Sequence, residues 1–154
     1  MFARLLDLFI FANTYKAVIF KVVIMLAFQR YIETTETLPC PTIVKHALDN
    51  LDYESPMCKY LTRCYGHYTD FKKVNKEPFA TLSPTFLTDV LLIAFQRIDD
   101  TYDGNDWNDN WSEYHEHENK ESQAECEMGR PGDADIVKKQ PRLPIHYGRW
   151  GGCC

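Results

Sequence analysis

The sequence lacks an apolar run long enough to cross a membrane. Charged residues interrupt its apolar amino-terminal part at Arg4, Asp7, Lys16 and Lys21, and the longest uninterrupted apolar run is 22–28. A spanning helix needs about 20 apolar residues, and no small-residue cleavage site follows as in a signal peptide. These absences argue against a span and a secretory leader, while association with a membrane surface through the apolar amino terminus stays open as an alternative.

Basic residues are scarce in one long stretch. Between residues 99 and 127 there are eleven acidic residues and one lysine, whereas the formal charge of the whole chain is -5. No basic stripe balances this acidic segment elsewhere, so we expect no nucleic-acid partner. A glycine-rich phosphate loop is also missing.

Closely spaced cysteine pairs of the CxxC type are absent. The six cysteines are scattered, at Cys40, Cys58, Cys64, Cys126, Cys153 and Cys154. Without a secretory signature, this spacing indicates a reduced intracellular setting, in the cytoplasm or the nucleus. Cys58 and Cys64 fall within a predicted helix and are expected to be small buried residues.

Helical periodicity dominates the first third of the chain. Apolar residues recur with a helical period and predict two helices, near 3–14 and 17–32, joined by a tight corner. The residues of the first stripe are Leu5, Leu6, Phe9, Ile10 and Ala12. Those of the second are Ile19, Val22, Val23, Met25, Leu26 and Ile32. Both helices are apolar on most sides, so they must pack against other parts of the chain or against a partner.

Three further helices are predicted from the way that proline recurs before apolar residues. Pro41, Pro56 and Pro84 each suit the first turn of a helix, where a missing N–H is not needed. Ser55 and Ser83 directly precede two of these prolines and are typical N-caps. The predicted fold is therefore all-α, a small array of about five helices.

Two regions follow from this pattern. Residues 3–98 form the helical region, in which Asp89 is expected to be a solvated residue near Arg97. Residues 99–154 are acidic and then rich in proline and glycine. Because this tail has too little apolar surface to offset the entropy cost of ordering, we expect it to be mostly disordered.

A possible zinc-ligand set is the main chemical feature of the tail. His115, His117 and Cys126 supply three ligands of the kind that zinc prefers. The surrounding acids favour protonated histidine, which weakens metal binding. No catalytic arrangement with an orienting third group accompanies them, so we expect no enzyme activity and no cofactor, with a zinc-binding regulatory element as the alternative.

Two segments resemble a known family in their order and spacing. LLDLFIFANTYKAVIFKVVIMLAFQRYI (5–32) resembles the last two helices of the BTB/POZ domain in fungal proteins, and LPCPTIVKHALDNLDYESPMCKYLTRCYGHYTD (38–70) resembles the part that follows. The matching residues of the first segment are Leu5, Asp7, Leu8, Phe9, Phe11, Ala12 and Tyr15. Those of the second are Pro41, Val44, Ala47, Asn50, Ser55, Pro56 and Tyr65. In such relatives a cysteine stands where this chain has Ser112, so the resemblance implies an incomplete metal site.

The resemblance implies a non-catalytic module for protein–protein interaction. The strands and helices that begin a BTB domain have no counterpart here, so the chain is expected to be the carboxy-terminal part of such a protein, a fragment without its amino-terminal core. The partner would be that core, another protein or a second copy of the chain. The expected contact surface consists of Leu8, Phe9, Phe11, Val22 and Leu26.

Overall fold

The computed structural model describes residues 1–69, 71, 75–96 and 120. Within residues 1–96 the chain forms six helices: α1 (Phe2–Thr14), α2 (Val18–Thr35), α3 (Pro41–Asn50), α4 (Pro56–Tyr68), α5 (Lys76–Phe79) and α6 (Pro84–Gln96). This confirms the predicted all-α class. The predicted disorder of 99–154 concerns a region that, apart from residue 120, lies outside the described residues.

Helix starts lie where proline and serine predicted them. α3, α4 and α6 each begin with a proline. The Ser55 hydroxyl accepts a hydrogen bond from the Cys58 amide at 3.4 Å, and the Ser83 hydroxyl accepts one from the Phe86 amide at 3.2 Å. Each serine satisfies an amide that the first turn of a helix leaves without a partner.

The sequence reading missed the short helix α5. Its N-cap is Asn75, whose side-chain oxygen accepts a hydrogen bond from the Glu77 amide at 3.2 Å. One turn is too short to show a helical period, so only its capping residue signalled it. α5 places Phe79 in the core, where its ring lies 5.8 Å from that of Tyr65.

α1 and α2 form an antiparallel hairpin. The Ala17 amide donates to the Ala12 carbonyl at 2.9 Å, and Lys16 takes a positive φ of 53° to reverse the chain. At the other end, the Phe2 ring lies 5.1 Å from that of Phe28 and 4.7 Å from that of Tyr31. The start of α1 therefore adjoins the later part of α2.

α4 lies at the centre of the core. The Tyr65 hydroxyl donates to the Pro39 carbonyl at 2.5 Å, and the Tyr65 ring contacts that of Phe86 at 5.6 Å in an edge-on arrangement. Gly66 allows α6 to approach closely, since a Cβ there would lie 2.6 Å from the Ile93 Cβ. These contacts tie α4 to the segment before α3 and to α6.

Polar bonds between distant segments complete the array. The Tyr53 hydroxyl, between α3 and α4, donates to the Asp89 carboxylate on α6 at 2.5 Å. Burial, followed by the bond to Asp89, raises the pKa of Tyr53 well above its ordinary value. Asp89 is half-buried and accepts this hydrogen bond. The sequence had predicted a solvated residue there.

The cysteines differ in state. Cys58 and Cys64 are free and fully buried on α4, as their helical position predicted. Cys40, the buried N-cap of α3, is disulfide-bonded.

Candidate interaction surface

α1 carries a row of large apolar side chains on its outward face. Leu8 and Phe11 are exposed, Phe11 by 55%, Tyr15 continues the row as the residue that caps the helix end, and Arg4 continues it towards the helix start. The rings of Phe11 and Tyr15 lie 4.6 Å apart. The spacing of four, three and four residues keeps all of these side chains on one face of the helix.

α2 carries a second row with the same spacing. Ile19 is 81% exposed, Val23 54% and Leu26 37%, and Arg30 continues the row. We call the six apolar side chains of the two rows the α1/α2 surface: Leu8, Phe11, Tyr15, Ile19, Val23 and Leu26.

The inward face of α2 is unusual in carrying polar side chains. Lys21 and Gln29 are both buried beside Ile24, Met25 and Phe28. The Lys21 ammonium reaches the Asn13 side-chain oxygen at 3.5 Å, and the Gln29 side-chain oxygen has no hydrogen-bond partner in the described part of the chain. Large aliphatic side chains of α2 therefore point outward, while two of its polar side chains are buried.

The five residues expected to form the contact surface do not all lie on it. Leu8, Phe11 and Leu26 are exposed, and Val22 is half-buried. Phe9 is only 1% exposed, so its assignment to a contact surface is wrong. Its position on α1 matches that of Phe2 and Leu6, which pack into the core.

Three residues of the α1/α2 surface were not predicted from the sequence to belong to a contact surface. They are Tyr15, Ile19 and Val23, of which Ile19 and Val23 were grouped with the buried residue Met25. Counting back from Leu26 in steps of three and four residues reaches Val23 and Ile19. That spacing was the signal that could have found them.

Charges of both signs lie around the α1/α2 surface, since Asp7, Glu33 and Glu36 are also exposed. Arg4 and Arg30 lie at the end of the hairpin where α1 starts, and Lys16 is exposed in the turn at the other end. Among the described residues, no carboxylate forms a salt bridge with any of these three. The surface therefore has basic groups at both ends.

A carboxylate of α1 contacts another element. Asp7 lies 3.0 Å from the His46 ring nitrogen on α3. Glu33 is exposed on α2, three residues after Arg30. Asp7 therefore contacts α3 while its side chain stays largely exposed.

A second apolar group is exposed on α6. Its members are Leu91, Leu92 and Phe95, with Phe95 66% exposed. They occupy the last two turns, away from the side on which Phe86 and Val90 are buried. This group is smaller, and it lies directly before residues that the structure does not describe.

The proposed metal ligands lie elsewhere. His115, His117 and Cys126 fall outside the described residues. Within the described part of the chain, no three His, Cys, Asp or Glu side chains come together as a metal site. Over the same part, no helix has the length and apolar character needed to cross a bilayer.

The described thiols are poorly suited to nucleophilic chemistry. Burial raises the pKa of Cys58 and of Cys64 above the ordinary value of a thiol. A cysteine attacks as its thiolate, so both groups are protonated and unreactive near neutral pH.

Comparison with known proteins identifies no relative. No model of a protein family, no curated protein and no solved structure matches the chain. The resemblance to fungal BTB/POZ proteins therefore stays a prediction, and the case for a function depends on the surface itself.

Proposed function

We propose that this chain is a protein-interaction module that binds a helical segment of a partner protein through the α1/α2 surface. The observation that supports the proposal is the exposure of six large apolar side chains in two evenly spaced rows. Exposed apolar groups of this kind typically mark an interaction site.

Burial of these side chains supplies a driving force for binding. Covering a Leu, Ile, Val or Phe side chain contributes roughly 1.5–3 kcal/mol when it is fully removed from water. Five such residues together with Tyr15, all partly exposed at the start, give several kcal/mol to set against the entropy cost of association. A few well-covered side chains are enough to dominate an interface.

The spacing of the rows favours a helical partner. Alternate steps of three and four residues are the spacing at which side chains of one helix fit between those of another. Ile19, Val23 and Leu26 follow it on α2, and Leu8, Phe11 and Tyr15 follow it on α1. An amphipathic helix lying along either row would bury its own apolar face there.

Two further points support an interaction role. α2 keeps Lys21 and Gln29 inside while large aliphatic residues face outward, an arrangement that folding of the isolated chain does not require. The resemblance to the carboxy-terminal part of fungal BTB/POZ proteins points in the same direction. We propose no enzymatic activity.

The proposal is tested with a labelled peptide of three heptads that has Leu at the apolar positions and uncharged polar residues elsewhere. Fluorescence anisotropy measures its binding to the full chain. Phe11→Ser with Leu26→Ser removes two exposed contacts and is expected to weaken binding at least tenfold, since each loss is worth about 1 kcal/mol or more.

The matched control is Leu92→Ser with Phe95→Ser on α6, which removes the same types of exposed side chain from the other apolar group. We expect the control to bind like the unaltered chain. Circular dichroism checks that both variants keep their helices. Absence of binding to the unaltered chain, or equal losses in both variants, would contradict the proposal.

A further inference from the structure

The cysteine directly before α3 is covalently bonded to a residue elsewhere in the chain. Cys40 is disulfide-bonded, whereas Cys58 and Cys64, the other cysteines of the described part of the chain, are free thiols. The structure contains one copy of the chain, and that chain has six cysteines. The partner of Cys40 is therefore one of the three that remain, which are Cys126, Cys153 and Cys154.

The backbone at Cys40 is held firmly by the helical array. Cys40 is 3% exposed, and its carbonyl accepts hydrogen bonds from the amides of Ile43 and Val44 at 2.9 and 3.1 Å. The carbonyl of the preceding residue, Pro39, accepts the buried hydrogen bond from the Tyr65 hydroxyl on α4. Both α3 and α4 therefore fix this point, and a bond made there attaches its partner to the core of the fold.

We propose that the disulfide of Cys40 is a redox-controlled tether that joins the carboxy-terminal region to the helical region. The end of α6 already connects the two regions, so the disulfide is a second covalent connection and closes a loop. Whichever of the three cysteines is bonded, residues 97–125 lie inside this loop. Most of the acidic segment 99–127 is thus covalently attached to the helical array on both sides. This inference goes beyond the proposed function and does not depend on it.

A thiol reductant opens the tether without breaking a peptide bond. The S–S bond breaks, and the sulfur of Cys40 and that of its partner each gain one electron and one proton. Two thiols of the reductant supply these electrons and protons and become joined as a disulfide. A small-molecule disulfide such as oxidised glutathione reverses the exchange. In the reduced chain, the acidic segment is connected to the helical region only through α6.

Peptide mapping of the full chain, purified without reductant, tests the bond directly. Free thiols are blocked with N-ethylmaleimide in denaturant at slightly acidic pH, which also prevents exchange, and the chain is then digested with trypsin. Cys40 falls in peptide 31–45, Cys126 in 121–138, and the last two cysteines in 150–154. We expect peptide 31–45 to be linked to one of the other two and to be released by dithiothreitol.

Redox control is tested on the folded chain and on a variant. Incubation with reduced glutathione should remove the linked peptide. On a denaturing gel without reductant, the unaltered chain should migrate faster than the reduced chain, since a closed loop makes a denatured chain more compact. Cys40→Ser should migrate like the reduced chain under both conditions, and serine suits an N-cap, so α3 should still form. The matched control, Cys58→Ala, removes a free thiol and should keep the faster band. Circular dichroism checks that both variants keep their helices.

Each outcome supports or overturns the inference. Linkage to 121–138 would assign Cys126, whose sulfur is then unavailable to zinc, because zinc binds the thiolate. Linkage to 150–154 would assign one of the last two cysteines. Maleimide on Cys40, or peptide 31–45 linked to a second copy of itself, would overturn the tether. A link that glutathione leaves intact in the folded chain would overturn its redox control. None of these readouts involves binding of the three-heptad peptide, so the proposed function stands or fails separately.

Discussion

At the scale of single residues, Tyr65 combines ring contacts with a buried hydrogen bond. It is fully buried, its ring contacts Phe79 and Phe86, and its hydroxyl donates to the Pro39 carbonyl. Burial raises the pKa of the phenol well above its ordinary value, which keeps the donating proton in place. One side chain therefore links α4 to α5, to α6 and to the segment before α3.

Tyr65→Phe is expected to destabilise the chain by about 1–3 kcal/mol. The ring contacts remain, but the buried Pro39 carbonyl loses its donor, and an unsatisfied buried polar group carries that cost. Urea unfolding followed by circular dichroism measures the change. Tyr15→Phe, at a residue that is 69% exposed, is the matched control and should change stability little. Equal changes in the free energy of unfolding for the two variants would show that the hydrogen bond from Tyr65 to Pro39 does not stabilise the fold.

At the scale of elements, the contact between α4 and α6 depends on a missing side chain. A Cβ on Gly66 would lie 2.5 Å from the Ile93 Cγ2, 2.6 Å from its Cβ and 3.2 Å from the Val90 carbonyl oxygen. Glycine within a helix costs about 1 kcal/mol relative to alanine. The close approach of the two helices outweighs that cost.

Gly66→Ala is therefore expected to lower the free energy of unfolding by about 1–3 kcal/mol, despite its better helix propensity. Adding Ile93→Ala should restore little, since the Ile93 Cβ that crowds the new methyl group is still present. Thermal unfolding of the single and double variants measures both effects. A Gly66→Ala variant more stable than the parent chain would contradict the close contact.

The titratable groups of α4 predict how stability depends on pH. Burial raises the pKa of Cys58, Tyr60, Cys64 and Tyr65 in the folded chain. In the unfolded chain, thiols lose their protons near pH 8.5 and phenols near pH 10. Above those values the unfolded state binds fewer protons than the folded state, so the free energy of unfolding must fall as pH rises.

We expect stability to hold near neutral pH and to decline above about pH 8.5, with each group contributing up to about 1.4 kcal/mol for every pH unit above its unfolded pKa. Urea unfolding across a pH series measures the slope. Tyr60→Phe removes one such group and should make the alkaline decline shallower. Stability that stays constant up to about pH 11 would rule out buried, protonated phenols.

At the scale of the whole molecule, local signals predicted the helices well. Proline and serine predicted the starts of α3, α4 and α6, because the first turn of a helix has specific chemical needs. They did not predict the bond between Tyr53 and Asp89, which are 36 residues apart in sequence. Such a contact depends on how the helices pack, and no local pattern encodes it.

The interaction surface was harder to predict for a related reason. Leu8 and Phe11 lie outside the apolar stripe predicted for α1, so they could be assigned to its outward face. Phe9, one residue away from Leu8, belongs to the core face and was misassigned. α2 is apolar on most sides, so its period alone does not say which face is buried. Only packing against α1 shows that Ile19 and Val23 face outward.

The central claim is that a partner helix binds on α1 and α2. Methyl NMR spectra of the chain, recorded with and without the three-heptad peptide, test it directly. The account predicts that the methyl signals of Leu8, Ile19, Val23 and Leu26 shift on binding, while those of Leu91 and Leu92 on α6 stay in place. Shifts confined to Leu91 and Leu92, or no shifts on α1 and α2, would contradict it.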